Sequence, residues 1–359
     1  MSESNGVVRH FNPAWFASVM GTGGLASALH AALGSIPLFE GIADILVGLN
    51  IALFILFLIP WTARWVLHFD RLSEDLKHPM LGNFFVTMPV GAIILGANLL
   101  LVGPDFLDRS FVGATAVVLF AVAAVLILFF TVLVMHIAYV RENLQPEQIN
   151  FAWFITPVAD IVVPVLGVPL VALLKDSNPG AAQFINLLNL AFFGIGFLLF
   201  IFIGAIVFNR LISHKLPHAQ VSPTFWILLG PIGIGTVALF GIAGSAQSLG
   251  LLPDPSGMKL AGVLLWGFGL WAFIQTLVVT IKYWREGIPF SMTWWAFIFP
   301  FAAYVLATFQ VGGFLHSPVV HVYGLALLAL LALMWLIVFV RSLVSLPALL
   351  APPAQQKKA

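Results

Sequence analysis

The sequence predicts an all-α membrane protein: ten transmembrane helices, paired as five helical hairpins in a quasi-fivefold ring around a central pore. Three observations predict it. Of 359 residues, 61% are apolar and only 8% charged, against about a quarter charged in soluble domains. Ten apolar stretches reach the length of about 20 residues that crosses a hydrocarbon core. One motif, an aromatic pair followed by a helix breaker, recurs five times at near-equal spacing. The net charge of +1 gives no case for nucleic acid, and the lack of cysteine excludes disulfides, thiol catalysis and thiolate metal sites.

The apolar stretches fall at 13–34, 39–67, 81–102, 111–140, 148–173, 181–209, 222–249, 258–284, 288–312 and 318–347. Turn and charge signals separate them: Asp70-Arg71 through His78-Pro79, Gly103-Pro104-Asp105, Arg141-Glu142-Asn143, Asp176 through Gly180, His214 through Pro223, Asp254-Pro255 and Arg285-Glu286-Gly287. The gap from Gly34 to Pro37 is short. No connection is long enough for a soluble domain, so the expectation is one membrane domain over 1–359 with short cytoplasmic tails, 1–12 and 348–359. Met1 to Pro13 lacks the order of a cleaved signal peptide, and the first apolar stretch is expected to be retained.

Orientation follows from the basic residues. Arg9, Arg64, Arg71, Lys77, Arg141, Arg210, Lys215, Lys282, Arg285, Arg341, Lys357 and Lys358 fall on one side; Arg109, Lys175 and Lys259 fall on the other. Both termini are therefore expected in the cytoplasm, and the helix count is expected to be even.

The odd-numbered stretches open alike. Trp15-Phe16, Phe84-Phe85, Trp153-Phe154, Phe225-Trp226 and Trp294-Trp295 follow one another at spacings of 69, 69, 72 and 69. Each is followed by a breaker: Gly21, Pro89, Pro157, Gly230-Pro231 and Pro300. Gly and Pro are common in membrane helices, which explains single instances but not five at matching phase. Five equal hairpins inserted in one sense close most simply into a ring. The breakers place the odd helices inside, because carbonyls freed by a kink are tolerated only within protein or beside a water-filled cavity. The smoother even helices, such as Ala116 to Val134, suit an outer, lipid-facing ring.

Phe11-Asn12-Pro13-Ala14-Trp15-Phe16-Ala17-Ser18-Val19-Met20-Gly21-Thr22-Gly23 resembles the first helix of the tellurite-resistance/dicarboxylate transporter family. Its Met-Gly-Thr-Gly form is similar to the branch holding fungal malate permeases and sulfite pumps. His78-Pro79-Met80-Leu81-Gly82-Asn83-Phe84-Phe85 resembles the entry to the family's third helix, and Trp294-Trp295-Ala296-Phe297-Ile298-Phe299-Pro300 resembles the ninth helix of the slow-type anion channels of plant guard cells. The resemblance implies the same ten-helix fold, a pore plugged by Phe299 just before Pro300, and a small anion as solute: chloride, nitrate, sulfite, malate or another C4-dicarboxylate. It implies a homotrimer in the plasma membrane, with a pore in each protomer. The guard-cell channels' long regulatory N-terminal tail has no counterpart in the dozen residues here, so phosphorylation control is not carried over.

Helical phase adds Met20, Pro89, Val158 and Gly230 to the layer of Phe299. Such a layer can close a pore by dewetting, with one mobile ring as gate; the plain alternative is a Phe packed between helices. Gly21, Thr22, Pro157, Pro231 and Pro300 complete the expected kinks and pore lining. Asp160, deep in the fifth stretch, shares phase with Thr22, Gly91, Ile232 and Phe301. An intramembrane acid is a functional candidate by default. It either takes a proton and couples transport to protons, or bonds to a neighbouring hydroxyl, amide or base. His136 and the glutamines Gln247, Gln275 and Gln310 suit structural roles, while Thr22 and Thr87 offer hydroxyls either to an anion or to their own helix. His30, His316 and His321 lack metal-ligand spacing, and there is no Walker loop. No cofactor, metal or catalytic centre is expected. Two functions remain: passage of C4-dicarboxylates such as malate, and proton-coupled export of sulfite or a related inorganic anion.

Overall fold

A computed structural model describes residues 2–33 and 36–346. Ten helices are long and apolar enough to cross a membrane. They are α1 (Pro13–Leu33), α2 (Pro37–Leu67), α3 (Leu81–Asp105), α4 (Arg109–Tyr139), α5 (Phe151–Leu174), α6 (Pro179–Ser213), α7 (Ala219–Ser248), α8 (Ser256–Glu286), α9 (Met292–Phe314) and α10 (Pro318–Val344). Their ends lie within four residues of the expected ones, the largest shifts being at Met292 and Ser213. The expected tail 348–359, with Lys357 and Lys358, lies outside the described residues, as do Gly34 and Ser35.

Two short helices were not foreseen. Ser2–Arg9 falls in the stretch read as a tail, and Phe69–Lys77 in the stretch read as a turn. The second is amphipathic: Leu72 and Leu76, four residues apart and thus on one face, are buried, while Asp70, Glu74 and Lys77 are exposed.

Contacts between helices form a closed circuit. Among the odd helices, α1 packs on α3, α3 on α5, α5 on α7, α7 on α9, and α9 returns to α1. Each even helix packs on the odd helix before it and on the next one, with α10 reaching α1. Burial follows this division. In the most apolar window of each odd helix 67% to 83% of residues are buried, against 28% to 39% in the even helices. The even helices spend their large aliphatic and aromatic side chains on an apolar exterior, as expected where the solvent is lipid.

All five odd helices begin with a 3₁₀ segment before turning α-helical: Pro13–Trp15, Leu81–Val86, Phe151–Phe154, Ala219–Leu228 and Met292–Phe297. The aromatic pairs lie in these segments or at their ends, where they pack the entrances together. The rings of Phe151 and Phe225 meet at a tilt with their centroids 4.7 Å apart, and Trp226 meets Phe297 and Phe301 edge-on.

The breakers act differently from the kinks expected of them. Pro89, Pro157, Pro231 and Pro300 all sit in the first turn of the α-helical segments beginning at Thr87, Ile155, Leu229 and Phe299. Amide groups in a first turn have no partner within the helix, so proline costs no ladder bond there. The prolines therefore mark where 3₁₀ gives way to α. Interior prolines occur elsewhere, at Pro60 in α2 and at Pro164 and Pro169 in α5. Gly21, six residues into its α-segment, has a different task. A Cβ there would come within 3.0 Å of Ile298 and Trp295, so it allows α1 and α9 to approach closely.

Candidate functional site

The five odd helices border one apolar cavity at the points where their α-segments begin. Ala17 and Met20 come from α1; Phe84, Thr87 and Val90 from α3; Ile155 and Val158 from α5; Ile227 and Gly230 from α7; and Met292, Trp295, Ala296, Phe299 and Pro300 from α9. Its volume is about 40 Å³, room for roughly three waters and for no hydrated anion. Phe299 is buried, and its ring edge lies over Gly24 of α1, where a Cβ would stand 3.8 Å from it.

The layer expected from phase is thus assembled by Met20, Val158, Gly230 and Phe299, with one change. On α3 the lining residue is Val90, not Pro89. This helix presents Phe84, Thr87 and Val90 at intervals of three, one residue out of step with the others. The length of the 3₁₀ entry does not account for the shift, since α9 enters through a six-residue segment as well and keeps its phase.

Among the described residues the one hydroxyl at the cavity, that of Thr87, is already committed. Thr87 Oγ1 donates to the carbonyls of Pro13 at 2.8 Å and Phe84 at 2.6 Å, so it stitches α3 to α1 instead of facing a solute. Thr22 turns away: its Oγ1 accepts a 3.1 Å bond from Trp335 Nε1 on α10. Pro157 places its carbonyl against Gly196 of α6, which has no room for a Cβ. Pro231 is buried beside the lining residue Gly230.

Asp160 stands apart from the cavity. It is fully buried, and Oδ2 accepts a 2.8 Å bond from Thr131 Oγ1 on α4, while Gly196 of α6 lies against its Cβ. Oδ1 has no partner. Two residues on a helix turn about 200°, so with Val158 facing the cavity Asp160 faces the outer helices. Phe301, of the same phase, likewise packs outward on Phe273 of α8.

Beneath the apolar cavity opens a vestibule of about 880 Å³. Phe84 and Met292 border both spaces. Arg9, His10, Arg64, Arg71, Asp75 and His78 line the vestibule with Gln220, Ser291 and Thr293. Arg64, which the sequence reading uses only for orientation, is a buried arginine at the end of α2 whose Nη1 donates to the carbonyl of Phe11 at 2.8 Å. Its signal was a lone arginine within an apolar run. His10 and His78 are both held below the ordinary histidine range, His10 by burial and then by the guanidiniums of Arg71, Arg9 and Arg64, His78 chiefly by burial. Among the described residues no group of three or more His, Cys, Asp or Glu is placed to hold a metal ion.

The model of the SLAC1 family, described as voltage-dependent anion channel, matches residues 10–343. The chain belongs to this anion channel family. The match takes in Arg64, every residue lining the apolar cavity and all those lining the vestibule except Arg9. An uncharacterized transporter of Methanocaldococcus jannaschii is 32% identical over 94% of this chain and 93% of its own length. A sulfite efflux pump of Trichophyton rubrum is 28% identical over 92% and 90%. A malic acid transport protein of Schizosaccharomyces pombe is 23% identical over 92% and 77%. The chain is a multi-pass membrane protein of a family whose work is anion transport.

Proposed function

We propose that this member of the voltage-dependent anion channel family passes small anions, C4-dicarboxylates such as malate foremost, along the axis of the five odd helices. Phe299 is the gate. The reading rests on one observation above all: five helices, each entered through the same motif, border a single apolar cavity at Phe299. The path runs from the basic vestibule through the apolar layer, where a ring that stays in place keeps the passage dry. Both termini lie in the cytoplasm, the chain sits in the plasma membrane as one transport domain, and the assembly is a homotrimer with a path in each protomer.

A second reading, export of sulfite, is favoured by the greater identity to the sulfite efflux pump than to the malic acid transport protein. Asp160 gives proton coupling little support, because it faces away from the lined path.

The test is uptake of malate and of sulfite by proteoliposomes, with membrane potential clamped by potassium and valinomycin and the proton gradient set independently. Malate flux that follows potential and ignores the proton gradient supports the first reading. Flux of sulfite alone, dependent on the proton gradient, selects the second. Flux of neither removes both.

A further inference from the structure

The arginines of the vestibule are each engaged by a carboxylate, and all three carboxylates come from the short helix Phe69–Lys77. Arg9 meets Asp70 at 3.6 Å, Arg71 meets Glu74 at 2.7 Å, and Arg64 meets Asp75 at 2.5 Å. The last pair differs from the others. The Arg64 side chain is only 5% exposed and is anchored from behind by the Phe11 carbonyl, whereas Asp75 is 30% exposed on the cavity side. Arg64 Nε is buried without a partner. A fixed guanidinium fork with a free N–H is built to receive two oxygens on one centre. Asp75 supplies one such oxygen from a helix held down by two leucines.

We propose that Arg64, with Arg71 and His10 beside it, is the vestibule's anion-capture site, and that Asp75 is a tethered carboxylate that fills it until a substrate carboxylate or oxyanion takes its place. The inference rests on the reading of the vestibule as the entrance to the transport path. It names the chemistry that entrance selects: two oxygens on one carbon or sulfur. A tethered competitor acts at an effective concentration in the millimolar range. Wild-type half-saturation by malate is therefore set by competition with Asp75 as well as by the affinity of Arg64.

Asp75→Asn keeps the side chain's size and removes the competing charge. It should lower half-saturating malate about tenfold, both in flux and in calorimetric binding to the detergent-solubilised protein, because the competent site is no longer mostly occupied. The shift should be larger for malate and sulfite than for chloride, which has no pair of oxygens for the fork. Adding Arg64→Lys to Asp75→Asn should reverse the gain. A purely structural ion pair would instead lower thermal stability in both variants and leave half-saturation at the wild-type value, which overturns the capture site. Hydrogen exchange on the wild-type chain is the second measurement. Saturating malate should speed exchange of amides across residues 69–77 as Asp75 is displaced, and unchanged exchange there overturns the proposal without any mutation. Flux and binding absent from the wild type for malate, sulfite and chloride alike would remove the transport reading itself. Flux with an unresponsive Asp75→Asn removes only the capture site.

Discussion

If Phe299 closes the passage, its ring must leave a buried position for an anion to cross. The ring is 4% exposed and packs toward Gly24, with Met20, Val158 and Gly230 completing the layer. Fully burying a Phe side chain is worth about 1.5–3 kcal/mol. An open state that gives up this burial is therefore populated at roughly one part in ten to one in a hundred and fifty. Phe299→Ala removes both the plug and the term that holds it, so anion flux per molecule should rise by about one to two orders of magnitude. The assay is chloride and malate flux in proteoliposomes at clamped potential, normalised to protein reconstituted as folded material. Phe301→Ala is the control. Phe301 is two residues along the same helix and fully buried, but it packs against Phe273 and Trp226, away from the cavity. It should cost about 3–5 kcal/mol of stability and leave flux per folded molecule unchanged. Equal flux in Phe299→Ala and wild type, or equal gains in the two alanine variants, would refute the gate.

Three further outcomes are expected. Asp160→Asn should leave flux indifferent to the proton gradient, as in the wild type, because the side chain faces α4 and α6; Thr131→Val should lower stability by about 1–3 kcal/mol, read by thermal unfolding, since it strips the carboxyl of its one side-chain partner. The depressed His10 and His78 set a pH dependence. Their neutral forms are favoured in the folded chain, so their contribution to stability is present above the ordinary histidine value and lost as pH falls from there through the depressed folded values; the same protonation adds positive charge to the vestibule, so anion affinity should rise over the same window, and the pair His10→Gln and His78→Gln should flatten both curves. Gly233→Ala should prevent normal folding, because its Cβ would lie 2.4 Å from the Tyr304 backbone nitrogen, whereas Gly194→Ala, with nothing within 4 Å, should be neutral or stabilising by up to about 1 kcal/mol, compared by yield and melting temperature.

The ten helices were legible because apolar length is set by membrane thickness, and the repeat because the aromatic pairs recur at fixed spacing. Met20, Val158, Gly230 and Phe299 were legible as one layer because each stands five residues after the first member of its helix's aromatic pair. On α3 the same spacing points to Pro89, whereas Val90 lines the cavity, a one-residue offset that spacing alone does not reveal. The outward aim of Asp160 was within reach, given the 200° from Val158, once the lining face of α5 was known. The vestibule was the least legible part. Phe69–Lys77 is nine residues rich in charge, and as sequence it is indistinguishable from a polar turn. Arg64 finds its partners only across separations of 11 and 53 positions.

The bond between Trp335 and Thr22 spans 313 positions. Thr131 and Asp160, joined in the corresponding way between an even helix and the next odd one, are only 29 apart. During synthesis the second contact is available as soon as α5 enters the bilayer, whereas α1 waits for α9 and α10 before its grooved, glycine-bearing flank is covered. That flank, with Gly21, Thr22 and Gly24, must stay unpaired in lipid for most of translation. Assembly therefore finishes at a seam between the first and last segments made, and loop closure over the whole chain makes this the slow step. Lesions at Trp335 or Gly21 should trap nearly complete but open molecules for quality control, a failure distinct from the early loss expected when Thr131 or Gly196 is altered.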